Sequence, residues 1–131
     1  MRRYFLIVLF LTLTVPFKIF AQGKVAPFTD EMKAEMCQKV KAAAQHAWKG
    51  YKDYAWGADD LRPLTKAPHN WYAHSMLMTP VDAFDTFTIL GLTTEAREAK
   101  ELILSKLDFN VDNEVQVFEI TIRLLAGLIT A

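Results

Sequence analysis

The chain has 131 residues, 52% of them apolar and 23% charged, with 15 basic residues balancing 15 acidic ones. That composition excludes a disordered chain, which needs low hydrophobicity and high net charge. It also excludes the one-signed field that draws a protein to nucleic acid or to an anionic membrane surface, so partners must be recognised by local sites.

Residues 1–21 open with Arg2 and Arg3, continue with an apolar run from Tyr4 to Phe17, and close near the small residues Ala21 and Gly23. This is the layout of an export signal peptide. An uncleaved anchor is the competing reading, but Pro16 and Lys18 interrupt the run, which is short for a span of about 20 residues. Cleavage removes Arg2, Arg3 and Lys18, leaving 12 basic against 15 acidic residues and no stable membrane span. Export, to a periplasm, the outside of the cell or a secretory lumen, permits disulfides, but Cys37 is the single cysteine, and its place on a helix reads as that of a small apolar residue.

Residues 30–54 repeat apolar side chains at Met32, Met36, Val40, Ala43, Ala47 and Tyr51, the stripe of a first helix. Residues 55–75 carry Gly57, Pro63, Pro68 and several aromatics without sustained periodicity, which predicts a long loop packed down by Trp56, Trp71 and Tyr72. A second helix is expected from a Thr79 cap, with Pro80 in the first turn and Asp82 where a capping-box acid sits, to Leu90, with Gly91 ending it. A third follows from Thr93 or Thr94 as cap, burying Ala96, Ala99, Leu102, Ile103 and Leu107. Residues 110–118 are the only strand-like stretch. A fourth helix begins near Gln116 and is apolar on nearly every side, so burial is expected. The class is all-α, built from paired helices. The chain reaches Ala131 without a helix stop signal, which predicts that residues 22–131 are the N-terminal portion of a larger domain.

Glu119 and Arg123 stand one turn apart in that fourth helix, on a narrow stripe with Ala126, Gly127 and Thr130. An exposed i,i+4 ion pair contributes only a few tenths of a kcal/mol, roughly, and a fully buried one costs several kcal/mol per ion in desolvation. Stability alone is therefore a weak reason for the pair, and a wet cavity beside the small-residue stripe is the alternative. Asp82 and Asp85 share one face of the second helix; Asp82 has a local use at the helix start, whereas Asp85 sits among Phe84, Phe87, Ile89 and Leu90 without one. His46, His69, His74 and Cys37 have no metal-ligand spacing. The usual phosphate-loop, dinucleotide, nucleophile-elbow and zinc-protease patterns are absent from the sequence. Trp48, Trp56 and Trp71 could stack on a sugar ring, although tryptophans beside loops are more often core.

Three blocks, HAWKGYKDYAWGADDLRPLTK (46–66), TPVDAFDTFTILGL (79–92) and DFNVDNEVQVFEITIRLLAGLITA (108–131), resemble in order and spacing the N-terminal part of the class I α-mannosidases, glycoside hydrolase family 47. The resemblance covers about residues 40–131. It implies an (α/α)7 barrel of inner and outer helices, truncated in this chain, and calcium-dependent hydrolysis of α-1,2-linked mannose in oligosaccharides or N-glycans with inversion. It implies Glu119 as the general acid acting through water, Arg123 as a sugar contact, Asp82 and Asp85 as acids that order the pocket, and a Ca2+ ligand threonine past residue 131. The alternative is a lectin-like or quality-control relative that holds such glycans with little hydrolysis. WYAHSMLMTPVD (71–82) departs from the glycine-rich run usual before these acids, and places His74, Met76 and Met78 at the expected pocket approach, which leaves linkage preference open.

Overall fold

The computed structural model describes residues 27–130. The export signal expected over residues 1–21 lies outside them. Four helices, α1 (Asp30–Ala55), α2 (Met78–Leu90), α3 (Thr93–Lys106) and α4 (117–130), account for most of the described chain, so the all-α expectation holds. Among the described residues no helix is long and apolar enough to cross a membrane.

The predicted stripe of α1 is only partly used. Met32, Met36 and Val40 are exposed, as is Cys37, and burial falls on Trp48, Tyr51 and Ala55, with Ala44 packed against them. These recur at the i, i+4, i+7 spacing of one helical face. Trp48 meets Phe87 of α2 edge-on at 4.9 Å and stacks on Tyr51 at 5.3 Å, and the core continues through Leu77, Phe84, Leu92, Ala99 and Leu102. At the rim, Glu98 of α3 accepts hydrogen bonds from the Trp48 indole (2.8 Å) and from Lys52 (2.6 Å), which ties α3 to α1.

The Tyr51 hydroxyl donates to the Ala58 carbonyl at 2.7 Å and accepts from the Gly57 N–H at 3.2 Å. Burial pushes its pKa up to about 12, Asp59 adds to the rise, and the Gly57 bond offsets part of it. The unfolded phenol ionises near pH 10, roughly. The folded state therefore holds the proton more tightly, so Tyr51 contributes stability below about pH 10 that disappears as pH rises through about 12. Melting temperatures measured from about pH 9 to 12 should fall more steeply for the native chain than for Tyr51→Phe.

The long loop expected over 55–75 instead contains a hairpin, β1 (Asp60–Arg62) paired antiparallel with β2 (Ala67–His69), in the register Asp60↔His69, Leu61↔Pro68 and Arg62↔Ala67. Three-residue strands are too short to show an alternating pattern, which is why composition alone hid them. The reverse happened over residues 110–118: their alternating valines form no strand, because no neighbouring strand offers a partner among the described residues. Instead, Asn113 stitches this segment to the chain before α2, its Oδ1 accepting from His74 N–H (2.9 Å) and its amide donating to the His74 carbonyl (3.1 Å).

Helix starts are the main correction. Thr79 does not cap α2: the helix begins at Met78 with Leu77 before it in a left-handed conformation, φ 54°, and no side chain of its own start caps it. Asp59 takes over from a distance. Its buried carboxylate accepts from the N–H groups of Met76 (2.6 Å), Met78 (3.3 Å) and Trp71 (2.9 Å) and from the Ser75 hydroxyl (3.1 Å). Thr79 donates both its N–H (2.9 Å) and its hydroxyl (2.6 Å) to the Asp59 carbonyl. Neither Thr93 nor Thr94 caps α3, which starts after Leu92 without a side-chain cap. The end of α2 is as expected: Gly91, φ 67°, donates to the Thr88 carbonyl and Leu92 N–H to that of Phe87, the paired bonds of a Schellman stop.

α4 is continuous but not regular. Ile120–Leu125 is a π-helical insertion between short α-helical ends, and the Ala126 N–H reaches back to the Thr121 carbonyl. A second core cluster of Met76, Met78, Val81 and Ile103 receives Leu124 of α4, flanked by Ile120 and Leu128. The remaining circumference is not buried as expected: Val117, Phe118, Ile122, Leu125 and Ile129 are exposed. Within the small-residue stripe Gly127 has a packing role, while Ala126 and Thr130 are exposed. A Cβ on Gly127 would lie 2.6 Å from Val81 Cγ1 and 3.1 Å from the Val81 carbonyl oxygen, so the missing side chain is what lets α4 approach the backbone of α2.

Candidate active site

Packing at Gly127 and Leu124 brings the polar stripe of α4 against α2 and determines what Arg123 can reach. Its Nε donates to Glu119 Oε2 at 2.7 Å, and its Nη1 donates across the helix pair to Asp82 Oδ2 at 2.8 Å. The guanidinium carbon lies 5.1 Å from the centre of the Trp71 ring. The Glu119 side chain is 25% exposed, Asp82 36% and Arg123 37%, so the group borders solvent rather than being sealed in a core.

That partial exposure removes the energetic objection to the pair, because ions that keep part of their hydration avoid most of the cost of burial. Hydrogen bonding to Glu119, followed by that to Asp82, raises the Arg123 pKa above its ordinary value, so the guanidinium stays charged at every working pH. One cation thus holds two carboxylates from different helices. The π-helical insertion begins immediately after Glu119 and contains Arg123, and such insertions, rare in helices, occur frequently at functional sites.

Of the residues expected at the site, Glu119, Arg123 and Asp82 come together. Asp82 does not serve the start of its own helix as expected, since α2 begins at Met78 and the Asp82 carboxylate turns to Arg123. Asp85 is exposed on the following turn and makes none of these bonds, so the apolar neighbours read from the sequence do not enclose it. Met76 and Met78 are buried in the second core cluster, which corrects their expected place at a pocket approach; His74 remains exposed.

Sequence reasoning missed Asp59 and Asp60. Asp60 Oδ2 accepts the Trp71 indole N–H at 2.7 Å and its Oδ1 meets His69 Nδ1 at 2.9 Å. The available signal was the adjacent acids in GADDLRP, placed just after Gly57 where turning backbone leaves N–H groups in need of acceptors. Among the described residues no three His, Cys, Asp or Glu side chains gather as metal ligands. A cleft of about 750 Å³ opens elsewhere, between α1 and the hairpin, lined by His46, Tyr51, Tyr54, Asp60, Leu61 and Pro63 among others, and none of the predicted site residues lines it.

Known proteins place this geometry in context. The profile of Glycosyl hydrolase family 47 matches residues 43–131. The "Endoplasmic reticulum mannosyl-oligosaccharide 1,2-alpha-mannosidase" of Rattus norvegicus is 45% identical over 92 residues, covering 70% of this chain and 14% of the relative. The "Mannosyl-oligosaccharide 1,2-alpha-mannosidase MNS1" of Arabidopsis thaliana is 41% identical over 102 residues, covering 78% and 18%. The "Mannosyl-oligosaccharide alpha-1,2-mannosidase IA" of Drosophila melanogaster is 42% identical over 110 residues, covering 80% and 16%. The chain spans 14 to 18% of the length of these curated relatives.

Proposed function

Because the chain belongs to glycosyl hydrolase family 47, we propose that it supplies the N-terminal part of an exported, calcium-dependent hydrolase that removes α-1,2-linked mannose from mannose-containing oligosaccharides with inversion. The observation that carries this reading is the Arg123 bridge between Glu119 of α4 and Asp82 of α2. It sets two carboxylates and a cation at a solvent-bordered edge where a sugar can meet them, and the printed names of the relatives supply the substrate class. α2 and α4 then serve as inner helices of an (α/α)7 barrel.

In that setting Glu119 gives a proton, through a water, to the glycosidic oxygen as the bond to the anomeric carbon breaks. A second water attacks that carbon from the opposite face and loses its proton to a carboxylate outside this segment. Inversion needs two such carboxyl groups about 6.5–9.5 Å apart, with room for the attacking water. Arg123 uses one of its five N–H donors on Glu119 and one on Asp82, which leaves three for sugar hydroxyls. Asp82 keeps the guanidinium directed, and Asp85, exposed one turn later, orders water beside it.

Calcium belongs to residues past 131 in this proposal. Among the described residues no three His, Cys, Asp or Glu side chains gather to hold it. The names of the relatives also favour a secretory-pathway lumen as the place of action after export, with a periplasmic or extracellular location as the alternative.

The test is release of free mannose from α-1,2-linked mannobiose by the complete protein, with and without a calcium chelator. Release that stops on chelation is the expected result. Binding of the disaccharide without release would overturn the hydrolase and favour the lectin-like alternative; neither binding nor release would remove both.

A further inference from the structure

Trp71 lies between β2 and α2 in a segment without regular structure, where an aromatic side chain is ordinarily free to reorient. Here it is held at both ends. Its backbone N–H donates to Asp59 Oδ2 at 2.9 Å, and its indole N–H donates to Asp60 Oδ2 at 2.7 Å. Asp60 is itself fixed by His69, its partner in the hairpin register, at 2.9 Å. The register of a six-residue sheet therefore determines where the ring stands, and it stands 5.1 Å from the Arg123 guanidinium.

We propose that Trp71 is a positioning residue, whose indole, anchored by Asp60, holds the Arg123 guanidinium in the orientation from which it spans Glu119 and Asp82. The carboxylates draw the guanidinium by its N–H groups, and each bond consumes a donor. The ring attracts the same cation through its π face and consumes none. It closes one side of the guanidinium, and the three remaining N–H donors keep a defined direction.

The test uses the complete protein with ¹⁵N-labelled arginine. Trp71→Ala should speed solvent exchange of the Arg123 Nε proton by about two- to thirtyfold, the range an interaction of this type supports. Asp60→Ala should do the same, and Trp71→Phe, which retains a π face, should restore part of the protection. Trp71 is 38% exposed, and its backbone bond to Asp59 is available to alanine and phenylalanine alike, so the melting temperature of both variants should stay close to that of the native protein. Unchanged exchange in Trp71→Ala overturns the proposal.

A second arm rests on the mannosidase reading above. There Trp71→Ala should raise KM by a similar factor with a smaller change in kcat, and the effect should vanish when Arg123 is already replaced by Met. A loss that persists in the Arg123→Met background also overturns it. A native protein that releases no mannose removes the proposed activity and leaves the exchange result to decide the role of Trp71.

Discussion

Glu119→Gln in the complete protein should slow release of mannose from α-1,2-linked mannobiose by about 100- to 10,000-fold, the usual contribution of a positioned general acid. The substitution is nearly isosteric, and the amide oxygen can still accept from Arg123 Nε, which donates to Glu119 Oε2 at 2.7 Å. Arg123 also keeps its 2.8 Å bond to Asp82. The scaffold should survive, and only the exchangeable proton is lost. The effect should therefore appear in kcat, with binding of the disaccharide near that of the native protein. Turnover unchanged by Glu119→Gln would remove the assigned role, whatever the activity of the protein.

The largest effect on stability should come from Asp59→Ala, at about 3–5 kcal/mol. The Asp59 carboxylate is completely buried and accepts from three backbone N–H groups and one hydroxyl. Alanine leaves those donors without an acceptor in a place water does not reach, and each orphaned group costs about 1–3 kcal/mol, partly recovered by relaxation. Asp59→Asn should cost less, because one acceptor oxygen remains while the amide nitrogen faces donors. Urea unfolding of the two variants beside the native protein measures this, and the expected order of midpoints is native, Asn, Ala. Equal midpoints would show that the bonds to Asp59 are replaceable. Since Asp59 also anchors the Trp71 backbone, loosening there should reach Arg123 as well.

The two effects separate two kinds of acid. Glu119 and Asp82 are partly exposed, and each shares Arg123 with the other. Asp59 meets no cation among its hydrogen-bond partners and is satisfied by backbone and hydroxyl donors alone, the arrangement that makes a buried carboxylate structural. Burial and the kind of partner distinguish the roles where residue type does not.

What the sequence determined by itself was whatever depends on short range. The helical periods, the Gly91 stop and the all-α class follow from spacing and backbone preference, and three ordered blocks carried the family. The i,i+4 relation of Glu119 and Arg123 was equally legible, since four residues on a helix are neighbours whatever surrounds them. Tertiary structure alone decided the rest. Asp59 caps a helix that starts 19 residues later, and Asp82 turns from its own helix start to a guanidinium 41 residues away. Gly127 is needed only because α4 lies against the Val81 backbone. In each case the free energy lies in a contact between segments distant in sequence, so no local pattern records it. Donors and carboxylates take the partners that folding brings within about 3 Å, not those that chain order suggests.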